Sequence, residues 1–205
     1  MSEHRITHVA FWAGGVLLPE IGGWAVEALS EGAMLSIEDR FALHALAHDL
    51  ALGRIDEDTF MREAWARGGG AAAHAASAAA LMPRVSVPAP QVTLLSEMAE
   101  RYWLSLLSDY PAEWLEAILP GTRLTKAFSP GEIWYTADLA AGGDYDRLFA
   151  EAIRRGALRP GESLLIDHHS RRTTAALRHG IDTAIYVDVP RLRRDLALWS
   201  LPPFG

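Results

Sequence analysis

Apolar and polar positions alternate along this chain in two distinct rhythms. Ile6 to Trp12 is a short apolar run stopped by Gly14 and Gly15, the pattern of a buried strand. After Pro19 the spacing becomes helical, with Trp24, Ala28 and Leu29 on one face. Ser36-Ile37-Glu38-Asp39 reads as a helix start with an N-cap serine, followed by Phe41, Leu43, Leu46, Ala47 and Leu50, and Gly53 ends that helix. Ile55-Asp56-Glu57-Asp58 opens another, carrying Phe60, Met61, Ala64 and Trp65. No strand pattern interrupts Leu18 to Leu81, so an all-helical insert is predicted. Within it, Gly68 to Gly70 read as a hinge before an alanine-rich helix reaching Leu81. Pro83, Pro88 and Pro90 mark an extended return.

The second half alternates helix and strand. Helices are predicted over Gln91–Arg101, Pro111–Leu119, Asp144–Arg155, Arg171–His179 and Pro190–Trp199. Strands are predicted over Tyr102–Leu107, Leu124–Phe128, Ser163–Ile166 and Thr183–Val187. Such alternation implies an α/β protein with a Rossmann-like parallel sheet covered on both faces. Any site is expected beyond the carboxyl ends of the strands, in the loops after Phe11, Leu107, Ile166 and Val187.

Composition narrows the function. Hydrophobic residues make up 50% of the 205 positions, enough for one modest core and a small accessory lobe. The formal net charge of -7 argues against a nucleic-acid partner. The pairs Arg154-Arg155 and Arg171-Arg172 and the run Arg191 to Arg194 read as solvated helix faces. Without cysteine there is no disulfide and no thiolate chemistry. No signal-peptide pattern and no apolar run of about 20 residues is present, so no membrane span and a cytoplasmic protein are expected. Seven tryptophans leave room for an interface, a homodimer or another protein partner, with Ile133-Trp134-Tyr135 as the candidate exposed patch.

The segment Phe11-Trp12-Ala13-Gly14-Gly15-Val16-Leu17 resembles the opening motif of the haloacid dehalogenase-like (HAD) hydrolases, the subclass with a helical cap between the first and second motifs. The resemblance implies a discontinuous core, residues 1–18 and 90–205, and a cap over 19–89. In that family an aspartate nucleophile stands where this chain has Trp12, and an indole forms no acyl-type intermediate. Gly14 stands where many members carry a second aspartate. Gly14 and Gly15 would let backbone amides approach an anion.

The second motif resembles Leu104-Ser105-Leu106-Leu107-Ser108-Asp109, implying that Ser108 binds a phosphoryl oxygen. The alternative reading is that Ser108 and Asp109 cap the next helix. The family's third-motif cation aligns with Gly143, in a stretch without any cation, and Lys126 lies too early in the chain. The fourth motif resembles Ile166-Asp167-His168-His169-Ser170, with His168 in place of the second of two magnesium-binding acids. Because Mg²⁺ prefers hard oxygen ligands, its binding is expected to be weak or absent, and no other cofactor is implied.

Three functions fit these residues. A non-catalytic, phosphatase-like protein would act by ligand or partner binding, since phosphoryl transfer depends on the charge stabilisation that is missing. A repurposed hydrolase would use the Asp167/His168 region, with metal assistance at most from that pair; the bland alternative is that one of His168 and His169 faces solvent while the other packs or caps. A binder of small anions would use Ser108 and the amides of Ala13 to Gly15, with Arg171 or Arg172 as the counter-charge.

Overall fold

The computed structural model describes residues 6–30, 35–67 and 85–198. The alanine-rich segment and Trp199 lie outside them. Five parallel strands form one sheet in the order β3-β2-β1-β4-β5. They are β1 (His8–Trp12), β2 (Trp103–Ser108), β3 (Ile133–Tyr135), β4 (Ser163–Asp167) and β5 (Asp182–Ile185). β1 and β4 are buried along their whole length, which is why they read as continuous apolar runs.

Among the described residues, three helices separate β1 from the return segment: α1 (Ile21–Ser30), α2 (Ile37–Ala51) and α3 (Glu57–Arg67). Ser36 caps α2 by accepting from the Asp39 amide, and Gly53 turns the chain at φ +67°. The remaining helices are α4 (Ala89–Ala99), α5 (Ala112–Ile118), α6 (Leu124–Ala127), α7 (Thr136–Ala140), α8 (Tyr145–Arg154), α9 (Ser170–Arg178) and α10 (Val189–Leu198).

One predicted strand is wrong. Leu124–Ala127 is a helical turn, and the third strand is Ile133–Tyr135. Leu124 and Phe128 are the buried positions, spaced one helical turn apart, and Phe128 meets Phe11 edge-on at 6.2 Å. The supposed exposed patch at Ile133-Trp134-Tyr135 is therefore a half-buried edge strand paired with Leu106 to Ser108.

The end of α2 is fastened to the core by polar contacts. Thr136 Oγ1 donates to the Ala51 carbonyl at 2.6 Å, and the Gly142 amide to the Leu52 carbonyl at 2.8 Å. Arg54 donates to the Gly143 carbonyl at 2.8 and 3.2 Å. Trp114 completes the docking, with the Trp24 and Phe60 rings each 5.6 Å away. Among the described residues, no helix is long and apolar enough to cross a membrane.

Candidate functional site

The strand order reverses direction at β1, so the crevice beyond the ends of β1 and β4 is where a ligand would sit in such a sheet. Sheet register brings the expected residues to that level. Trp12 pairs with Leu107, which precedes Ser108, and Phe11 pairs with Ile166, which precedes Asp167.

Trp12 is fully buried, its ring 6.4 Å from that of Tyr145 and nearly perpendicular to it. The guanidinium of Arg172 lies over the indole, 4.2 Å from its centroid. Arg172 is held there by a two-pronged grip on Asp167, Nε to Oδ2 at 2.6 Å and Nη2 to Oδ1 at 2.7 Å. Arg172 is 6% exposed, so the expectation of a solvated face is corrected for this residue. In the first turn of α9 its side chain runs back over the sheet end, where Asp167 offsets its desolvation. Arg154 fits the expectation, pairing on the surface with Glu151.

Asp167 is completely buried. Burial pushes its pKa up, but hydrogen bonds from His168 and Arg172 outweigh that and hold it below the usual carboxylate range. Its Oδ1 also accepts the His169 amide at 3.1 Å.

The two glycines are covered by the chain's own side chains. The Gly14 amide donates to Asp109 Oδ1 at 2.9 Å, and a Cβ on Gly14 would lie 2.4 Å from that carboxylate. Gly15, at φ +81°, lies under the His168 ring, only 2.1 Å from where a Cβ would sit. The Ala13 amide donates to the Leu107 carbonyl and the Gly15 amide to the Leu18 carbonyl. The expected anion cradle at Ala13 to Gly15 is thus already satisfied internally. Ser108 donates to the Tyr110 carbonyl at 3.1 Å, and Pro111, not Ser108 or Asp109, stands at the N-cap of α5. Neither residue caps that helix; Ser108 braces its own loop, and Asp109 ties that loop to the one after β1.

Asp109 is buried, and desolvation raises its pKa against the pull of Arg172 and the Gly14 amide. The buried Trp12 indole N–H favours the Asp109 carboxylate electrostatically but makes no hydrogen bond of full geometry.

His168 and His169 diverge, as the adjacency of the two rings requires. His168 Nε2 pairs with Glu20 at 2.6 Å and its Nδ1 faces Asp167 at 3.4 Å. These two acids raise its pKa to about 9, so it is an imidazolium at neutral pH. Burial, then Arg172, lowers that of His169, whose Nδ1 is buried without a partner. Neither ring is the freely solvated one expected of the pair.

A recess of about 220 Å³ remains between α1, α2 and the sheet end. Its polar lining includes Glu20, His44, His48, Asp109, Tyr145 and Arg172. Sequence reasoning missed His44 and His48, although their spacing of four on α2 puts them on one face. It also missed Glu20 and Tyr145, which carry no motif. Arg172, one of the two arginines considered as a counter-charge, had a signal: a chain without the third-motif cation still carries two buried acids to neutralise. Lys126 is exposed and does not line the recess, and Gly143 contributes only its carbonyl, to Arg54.

The residues do not suit a magnesium ion. Both Asp167 oxygens are occupied by the guanidinium, Asp109 is committed to Gly14, and the third strand end offers an indole. Among the described residues, no three His, Asp or Glu side chains converge closely enough to hold a metal.

No protein-family model and no curated protein matches this sequence. Solved structures do match in fold. A HAD family enzyme from Bacteroides thetaiotaomicron superposes with TM-score 0.69 at 18% identity, covering 89% of this chain and 94% of that one. The same enzyme is known in complex with magnesium and inorganic phosphate, with TM-score 0.67. A protein from Porphyromonas gingivalis described as a predicted HAD-like family hydrolase gives 0.66 at 23% identity, covering 94% and 98%. L-2-haloacid dehalogenase from Xanthobacter autotrophicus, with chloropropionic acid covalently bound, gives 0.62 at 18% identity, covering 97% and 85%. At these identities the likeness is one of architecture: the chain has the fold of the haloacid dehalogenase-like hydrolases.

Proposed function

We propose that this chain is a non-catalytic protein on a hydrolase fold, acting by binding a ligand or a partner. The observation that carries this is the fully buried Trp12 with Arg172 stacked on it. The indole fills the strand end where a nucleophile is needed and offers no group to form a covalent intermediate. The buried Arg172 guanidinium is already neutralised by Asp167, leaving little charge to stabilise a transferring phosphoryl group. The amides that would cradle an oxyanion are engaged as well.

In this reading residues 19–89 serve as a cap, and α1 and α2 close the recess over the core. His44, His48 and Tyr145 supply hydrogen-bonding groups for a small anionic ligand there. A cytoplasmic setting accords with the cysteine-free sequence. A repurposed hydrolase using Asp167 and His168 has less support. Asp167 is saturated by Arg172, and a histidine held protonated up to about pH 9 is no general base at neutral pH.

The test is turnover. Purified protein is incubated with p-nitrophenyl phosphate and Mg²⁺ and, separately, with 2-chloropropionate. No product above the buffer control is expected. Turnover that disappears in Asp167→Asn would overturn the reading.

A further inference from the structure

We infer that Arg172 is a tethered cation that takes the place of a divalent metal ion at the ends of β1, β2 and β4. The inference concerns the metal requirement of the site and stands whether or not the protein turns over a substrate.

Three strand ends converge on this guanidinium. Asp167 from β4 grips it from one edge, at 2.6 and 2.7 Å. Asp109, following β2, attracts it electrostatically, and each of the two shifts the other's pKa in the direction opposite charges require. Trp12, ending β1, lies beneath its flat face at 4.2 Å.

Each contact suits a guanidinium and not an ion. A planar fork matches a carboxylate in two parallel bonds, and a delocalised cation stacks on an indole. Mg²⁺ requires near-octahedral oxygen ligands at about 2.1 Å, which an aromatic face does not supply. The neighbouring side chains close around the pair. His168 Nε2 lies 2.6 Å from Glu20 and its Nδ1 3.3 Å from Arg172 Nη2. An ion on Asp167 would have to displace the guanidinium from both carboxylate oxygens. Trp12 and Arg172 therefore act as one device: the ring that removes an acid from β1 provides the platform for the arginine that neutralises the acids left on β2 and β4.

Thermal unfolding with EDTA and with millimolar Mg²⁺, for the wild type and for Arg172→Gln, tests this directly. The wild type is expected to melt at the same temperature in both, and calorimetric titration with Mg²⁺ to give no heat. Arg172→Gln is expected to melt several degrees lower in EDTA and to recover part of that loss in Mg²⁺, because vacated carboxylates become ligands. A Mg²⁺-dependent rise in the wild type, or heat on titration, overturns the inference. An Arg172→Gln protein that ignores Mg²⁺ overturns it as well. Should Arg172→Gln not fold, Arg172→Lys decides. A point charge at the same site is expected to give a folded protein insensitive to Mg²⁺, and a Mg²⁺-stabilised lysine variant contradicts the assignment. The readout is stability and metal binding, so failure here leaves the non-catalytic reading to its own turnover assay.

Discussion

The Arg172 guanidinium lies 4.2 Å from the centroid of the Trp12 ring while its other edge is bound to Asp167. A buried aromatic, a buried cation and a buried anion thus form a single stack at the centre of the sheet. Removing any member leaves the others exposed to a cost they do not otherwise bear.

Trp12→Ala deletes the base of the stack and opens a cavity in close-packed surroundings. A loss of about 3–5 kcal/mol is expected, read as a lower urea midpoint with little change in slope. A loss below about 1 kcal/mol would mean that the indole is not packed as described.

Breaking the ion pair from one side should be more damaging than removing both charges. Arg172→Met strands the Asp167 carboxylate and should cost about 3–5 kcal/mol. Arg172→Met combined with Asp167→Leu should recover much of that, giving a large coupling in a double-mutant cycle. Additive losses would contradict a direct pairing.

Stability should fall on both sides of a maximum near pH 6.5, for separate reasons. His8, fully buried on β1, bridges Ser163 and Ser105 at 2.8 Å each and stacks on Trp103. Burial, with the help of Arg159 and against Glu132, lowers its pKa to about 4. The unfolded chain then binds the proton more readily. The stabilisation is complete above about pH 6.5 and is lost as the pH falls towards 4, by roughly 3 kcal/mol for that shift. His168 has the opposite sign, with its pKa raised to about 9. Its contribution is complete below about pH 6.5 and is lost as the pH rises through 9. In urea titrations across this range, the controls His8→Gln and His168→Gln should flatten the acid and alkaline limbs respectively. A limb that survives its control assigns that limb to another group.

Gly15→Ala combines two penalties. The backbone is in the left-handed region at φ +81°, and the added carbon would meet the His168 ring at 2.1 Å. A loss of about 1–3 kcal/mol is expected, together with an upfield change in the His168 ring C–H signals as the ring is displaced from Glu20 and gives up its extra proton more readily. An unperturbed His168 titration would show that the ring does not rest on this turn.

Much of this arrangement was legible in the sequence. The apolar runs at Ile6–Trp12 and Ser163–Ile166 pointed to two central strands, observed at His8–Trp12 and Ser163–Asp167, because strands buried on both faces have no alternation to mislead. The turn at Gly53 and the cap at Ser36 were readable because both depend on local backbone geometry. The edge strand Ile133–Tyr135 was misplaced because it has only three residues, and its register is set by β2, not by local pattern. Trp12 and Asp167 were recognisable from their places in motifs. Arg172 was named only alongside Arg171 as a counter-charge and read as a solvated face, since its burial depends on Trp12 and Asp167, 160 and five positions away, converging at one sheet end. The occupied Gly14 amide was equally hidden. Its partner Asp109 follows another strand, and only the register of β1 with β2 brings them together.

The most direct test of the central claim is a crystal structure of the wild-type protein grown with Mg²⁺ and inorganic phosphate. The expected result is Arg172 still bidentate on Asp167, the Trp12 indole beneath it, and no ion at the ends of β1 and β4. Density for Mg²⁺ on Asp167 with Arg172 displaced and the indole swung aside would contradict the account.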